Sequence, residues 1–118
     1  MQTASRYSGG MASPDALRGH VDAMLLAVLS AGPVHGYGAV ERIRERSGGV
    51  LDFPSGTVYP ALKRLERRGL IEGEWEVGGR SKRVYRLTTA GIAALESERS
   101  DWTKTASLIT SVLGAARG

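Results

Sequence analysis

The apolar positions of the chain follow three spacings in turn. Val21, Met24, Leu25, Val28 and Leu29 step by three and four, which puts them on one face of a helix. The spacing predicts a first helix from Ala16 or Arg18 to about Ala31, ended at Gly32-Pro33 because proline cannot continue the hydrogen-bond ladder. A second helix is predicted over Tyr37 to Ser47, with Val40 and Ile43 inward, Glu41, Arg42, Arg44, Glu45 and Arg46 outward, and Gly48-Gly49 as its stop. Val50 to Phe53 reads as a strand of one or two pairings. A third helix follows Pro54, with Val58, Leu62 and Leu65 as its buried stripe and Gly69 as its end. The start of this helix is ambiguous. With Thr57 as the N-cap, Pro60 falls in the first turn, where its missing N–H does no harm, whereas a start at Ser55 would put Pro60 one position too deep and strain the turn.

The period then changes to two. Ile71, Gly73, Trp75 and Val77 alternate with Glu72, Glu74 and Glu76, as in a strand with two unlike faces. Residues 78–82 read as a turn and Arg83 to Leu87 as the returning strand. The last spacing is a heptad one, capped by Thr88 or Thr89: Ile92, Leu95, Arg99, Trp102, Ala106, Ile109 and Leu113 step alternately by three and four. Such a stripe is the seam of a helix that packs along another helix. The order α-α-α-β-β-α describes a mainly α fold with a small β-hairpin wing, a winged helix-turn-helix.

Composition narrows the classes. A chain of 118 residues is one domain by length, and 42% hydrophobic content is enough for a core that an oligomer would help to stabilise. Without cysteine there are no disulfides, thiol nucleophiles or thiolate metal sites, which suits a reducing cytoplasm. There is no apolar run long enough to span a bilayer and no signal-peptide core, so a cytoplasmic location with no membrane partner is expected. The net charge of +4 decides little, but its placement does: Lys63, Arg64, Arg67, Arg68, Arg80, Lys82, Arg83 and Arg86 are half of the 16 basic residues and all fall between residues 63 and 86. A local basic stripe is the footprint of a phosphate-backbone binder.

Candidate contacts follow. Thr57 and Tyr59 near the start of the third helix, with Lys63 and Arg64 one turn on, would face double-stranded DNA while the apolar stripe faces the core. Lys and Arg can read guanine O6 and N7 or hold phosphates, and the sequence leaves both open. Arg80, Lys82 and Arg83 at the hairpin tip would lie along a minor groove or the flanking phosphates, with Gly78 and Gly79 letting the turn come close. Arg67 and Arg68 complement the helix dipole, and Trp75 is expected to be structural. His20 and His35 are too few for a metal site, and His35 is expected to order the turn before the second helix. The glutamate row forms no acid–base pair, and no nucleophile, base and orienting group converge, so no enzyme and no cofactor are expected.

Three stretches resemble the PadR-like regulators, in particular the short members made of a winged helix plus one C-terminal helix. They are Gly32-Pro33-Val34-His35-Gly36-Tyr37, then Ser55 to Glu66 with Gly69-Leu70-Ile71, and Tyr85-Arg86-Leu87-Thr88-Thr89-Ala90-Gly91. The likeness covers about residues 17–113. Gly38 stands where the family often has an acidic residue. The resemblance implies a homodimer that represses transcription, often relieved by small molecules, and it brings Ser55 into the DNA-contacting set. It also favours a phosphate contact for the Tyr37 hydroxyl, against a core-capping role. For Trp102 it suggests stacking of a small aromatic ligand between protomers, beside the plainer reading of interface packing.

The expected organisation is a flexible tail over residues 1–15, a winged-helix DNA-binding domain over 16–88 and a C-terminal dimerisation helix over 89–114. Leu95, Trp102, Ala106, Ile109 and Leu113 are the expected dimer contacts. The function read from all this is a DNA-binding repressor with an inverted-repeat operator. The alternatives are a winged-helix protein-interaction module, which leaves the basic stripe idle, and a small-molecule binder without DNA binding.

Overall fold

A computed structural model describes residues 20–76 and 82–114. Its elements, in chain order, are α1 (Val21–Leu29), β1 (Val34–His35), α2 (Gly36–Arg46), α3 (Ser55–Arg67), β2 (Ile71–Trp75), β3 (Arg83–Leu87) and α4 (Thr89–Leu113). The predicted start of the first helix before His20 and the hairpin tip, with Arg80, lie outside the described residues.

The predicted helical faces meet in one core. Val21, Leu25, Leu26, Val28 and Leu29 of α1 pack with Ala39, Val40 and Ile43 of α2 and with Val58, Ala61, Leu62 and Leu65 of α3. Arg42, expected outward on α2, instead turns back and donates to the carbonyls of Val28 at 2.9 Å and Gly32 at 2.8 Å. Those carbonyls belong to the last turn of α1 and the turn after it, where helix geometry leaves acceptors without partners.

The start of α3 is the earlier of the two. The helix begins at Ser55, with Pro54 as an extended N-cap whose carbonyl accepts from the amides of Thr57 at 2.9 Å and Val58 at 3.1 Å. Pro60 therefore sits inside the helix, where it has no N–H for the Gly56 carbonyl. Gly56 is exposed, so water can take the place of that donor.

The sheet also differs from expectation. Val50 to Phe53 forms no strand; its Phe53 plugs the core instead. A third strand comes from β1, which pairs antiparallel with β3 through Val34↔Tyr85 and His35↔Val84, giving the order β1-β3-β2. Two residues are too short a run for any periodicity to reveal. β2 and β3 pair from Ile71↔Leu87 to Trp75↔Arg83. The strand pair runs off the edge of the core, so Ile71 is buried while Trp75, on the same predicted face, is 61% exposed.

Thr88 caps α4: its Oγ1 accepts from the Gly91 amide at 3.0 Å and donates to the Gly69 carbonyl at 2.7 Å. Gly91 lets the helix start tight against the loop before β2, since a Cβ there would fall 2.0 Å from the Leu70 carbonyl oxygen. Beyond Leu95, which is buried in the same core, α4 runs out into solvent.

Candidate nucleic-acid interface

α3 has two unlike faces because its sequence alternates at helical period. Val58, Ala61, Leu62 and Leu65 are buried, and Tyr59, Pro60, Lys63, Arg64 and Arg67 lie outside. Ser55 is exposed at the first position of the helix and Thr57 is half-buried one turn earlier than Ala61. Tyr59 is held by contact with α2: a Cβ on Gly36 would lie 2.6 Å from its ring and 2.9 Å from its hydroxyl. Glycine at the start of α2 is what allows the approach. The neighbouring Tyr37 is 60% exposed.

Tyr37, Tyr59 and Trp75 line a cleft of about 640 Å³ together with Lys63, Lys82 and Arg83, between the start of α2, α3 and the wing. With Tyr85, four tyrosine and tryptophan rings and three cations thus line one cleft, from elements that the sequence separates. The predicted contacts Tyr37, Tyr59, Lys63, Lys82 and Arg83 are brought together here; Arg64 lies on the other flank of α3.

The cations differ in what holds them. Arg83 forms an ion pair with Glu66 of α3, and its guanidinium lies 5.3 Å from the centre of the Trp75 ring and 5.8 Å from that of Tyr85. Gly73 opposite makes room, since a Cβ there would meet the guanidinium at 2.7 Å. The hydrogen bond it donates to Glu66 raises the Arg83 pKa above its ordinary value, against a smaller opposing effect of burial. Arg83 thus braces the wing on α3, and Trp75, expected to be structural, is the exposed plate of that brace. Arg64 meets Asp22 of α1, Nη2 to Oδ1 at 2.8 Å and Nε to Oδ2 at 3.5 Å, and the hydrogen bond and charge of Asp22 raise its pKa. Arg44 is likewise raised, mainly by the charge of Asp52 at 3.3 Å. Arg86 pairs with Glu74 at 3.2 Å. His35, expected to order its turn, reaches the wing and meets Glu76 at 3.0 Å. Among the described residues, Lys63 and Lys82 enter no ion pair.

Asp22, Glu66, Gly36 and Gly73 escaped the sequence reading. Their partners stand far along the chain, 42 residues for Asp22 and Arg64, and no local spacing links them.

A second concavity of about 400 Å³ lies between α1 and α4, lined by His20, Met24, Leu95, Glu98, Arg99 and Trp102 among others. Trp102 is 57% exposed and meets the His20 ring edge-on at 5.5 Å. Leu95 serves the chain's own core, whereas Ala106 is half-buried and Ile109 and Leu113 are exposed, so the predicted seam divides at Trp102. No described helix is long and apolar enough to cross a membrane.

Comparison with known proteins agrees with this architecture. A solved transcriptional regulator from Clostridium thermocellum superposes with a TM-score of 0.79 at 29% identity, over 86% of this chain and 97% of that one. A PadR family transcription regulator from Clostridium difficile gives 0.72 at 28% identity, over 80% and 99%. Transcriptional regulator Rv3488 of Mycobacterium tuberculosis is 56% identical over 45 residues, which are 37% of this chain and 42% of that protein. The model of the transcriptional regulator PadR-like family matches residues 25–97, from α1 through the wing to the first part of α4. The chain belongs to that family, whose members bind DNA and regulate transcription rather than catalyse a reaction.

Proposed function

We propose that the chain acts as a homodimeric repressor that holds an inverted-repeat operator through α3 and the wing. The observation that carries this reading is the outward face of α3, where Tyr59, Lys63 and Arg64 stand clear of the core beside a cleft that adds Tyr37, Lys82 and Arg83. Lys63 and Lys82, with no carboxylate partner among the described residues, suit phosphates, and Arg80, which lies outside the described residues, is proposed from the sequence as a further contact. Ser55 and Thr57 at the start of α3 would place their hydroxyls near a phosphate. The exposed Ile109 and Leu113 of α4, with Ala106 and Trp102, supply the surface on which two copies would pair, and two-fold pairing presents two reading helices to half-sites about one helical turn apart. The winged-helix domain then spans residues 16–88 and the dimerisation helix 89–114.

A flat aromatic ligand would enter the groove beside Trp102 and change the spacing of the two α3 helices. Fluorescence anisotropy of the full chain on duplexes selected from a randomised pool tests the DNA reading. The double variant Lys63→Ala/Arg64→Ala is expected to bind at least about tenfold more weakly; undiminished affinity removes α3 from the interface. Quenching of Trp102 by planar cationic dyes, in a Trp75→Phe background, tests the ligand reading, and an unaltered emission at saturating dye refutes it.

A further inference from the structure

The Arg64 guanidinium is planar and carries five N–H donors along two usable edges. Asp22 takes the side edge, with Oδ1 on Nη2 at 2.8 Å and Oδ2 near Nε at 3.5 Å. The end edge, formed by Nη1 and the second N–H of Nη2, makes no hydrogen bond among the described residues, and the side chain is half exposed. Two parallel N–H groups on that edge match O6 and N7 of a guanine in the major groove.

Charge and entropy point the same way. A carboxylate in contact with the guanidinium offsets its charge, which weakens its pull on a phosphate and its release of counterions. The same contact fixes the plane of a side chain that would otherwise lose rotamer freedom only when DNA arrives. A phosphate accepts a cation from many directions and gains little from a fixed plane, whereas a base edge needs one. Lys63, on the same face and free of such a partner among the described residues, is the contrasting case.

We infer that Asp22 of α1 is a positioning residue that holds Arg64 as a reader of guanine, so that this pair, and not the charge of the basic stripe as a whole, sets one base of the operator. The inference rests on the DNA-binding reading above. It settles which of the two roles left open for Arg64 the side chain takes.

The test starts from the duplex that the full chain selects from a randomised pool. Binding is then measured on that duplex, on variants changed one base pair at a time, and on unrelated DNA, across a salt series. Arg64→Ala is expected to lose a preference of roughly 5- to 150-fold at one G·C pair of each half-site, with a nearly unchanged salt slope. Arg64→Lys loses it too, because an ammonium cannot make both bonds in one plane. Asp22→Ala is expected to lose about two- to fivefold at the same base pair while holding unrelated DNA as well as before or better. Asp22→Asn, which keeps an acceptor, falls between. Asp22 also lies in the first turn of α1, so Asp22→Ala is checked by thermal melting; the position-specific change is what a merely unstable helix would not produce.

A full base preference in Asp22→Ala overturns the inference, as does an Arg64→Ala that keeps its preference but loses about one unit of salt slope. A wild-type chain that selects no duplex brings down the DNA-binding reading, and this inference with it.

Discussion

On the α3 and wing side, Arg64, Arg83 and Arg86 each meet a carboxylate of the same chain, whereas along the last turns of α4 Leu108, Ile109, Val112 and Leu113 lie open to solvent. The first region has these three arginines oriented before any partner arrives. The second leaves apolar area in water, each Å² of which favours burial by about 25 cal/mol. The contrast teaches that the two surfaces would recognise their partners by different means: preset geometry at one end, area removed from water at the other. It also says where damage would show. A change on α4 should alter association and leave the fold of one chain nearly as it was, while a change on the other face should alter which DNA is held.

The largest effect is expected from placing charge in the open stripe. Ile109→Glu/Leu113→Glu would put two carboxylates into the pairing surface, at about 3–5 kcal/mol of association free energy. Sedimentation at micromolar concentration should show single chains where the unaltered protein shows pairs. Denaturant unfolding of the isolated chain should move by no more than about 0.5 kcal/mol, because both side chains are exposed within it. A variant that still pairs would remove α4 from the interface and with it one side of the contrast.

The two regions join where α4 leaves the core, and Gly91→Ala strikes that joint. The added Cβ would stand 2.0 Å from the Leu70 carbonyl oxygen, which is backbone and already accepts from Thr88 at 3.1 Å. Neither side can yield by rotating a side chain, so a loss of about 2–3 kcal/mol is expected, read as a lower denaturant midpoint at unchanged slope. A stability equal to that of the parent would mean that α4 can tilt freely on the winged domain.

How much of this was legible in the sequence depended on how local its cause was. The stripes of α1, α2 and α3 could be read because a helix repeats its burial every three or four residues, and Thr88 could be read as a cap because its partner, Gly91, is three residues on. The start of α3 is ambiguous in the sequence because Pro60 favours a later one, while the Pro54 carbonyl, which accepts from Thr57 and Val58, sets the earlier one. β1 has only two residues and owes its existence to β3, about fifty residues later. Strand alternation named the correct face for Trp75 but could not show that the core ends before reaching it. The heptad spacing of α4 runs unbroken through Leu95, which is buried in the chain's own core, and Trp102, which is more than half exposed. Of the candidate site, the residue types were visible and their partners were not: Asp22 and Glu66 lie 42 and 17 residues from the arginines they hold.

A smaller effect should follow Gly36→Ala. Here the obstacle is the Tyr59 ring, 2.6 Å from the new Cβ, which can swing aside at about 1 kcal/mol. Stability should fall only by that amount, while affinity for the selected duplex falls further because Tyr59 leaves its place beside Lys63. Loss of stability with full DNA affinity would show that Tyr59 serves the fold alone.

The smallest overall effect, and the sharpest test of the contrast, is expected from Glu66→Gln. Both side chains of the Glu66–Arg83 pair are about a third exposed, so removing the charge should cost only about 0.5–1 kcal/mol. The consequence for DNA runs in two directions. Arg83 becomes free to neutralise a phosphate, so unrelated DNA should be held more tightly in low salt and the slope of log affinity against log salt should steepen by up to about 0.9. The wing loses its brace on α3, so the preference for the selected duplex should shrink. Trp75 reports the event directly, because its emission should change as the guanidinium 5.3 Å from its ring moves away. If selectivity, salt slope and Trp75 emission all stay as they were, the ion pair orients nothing, and the charged face would differ from α4 only in composition.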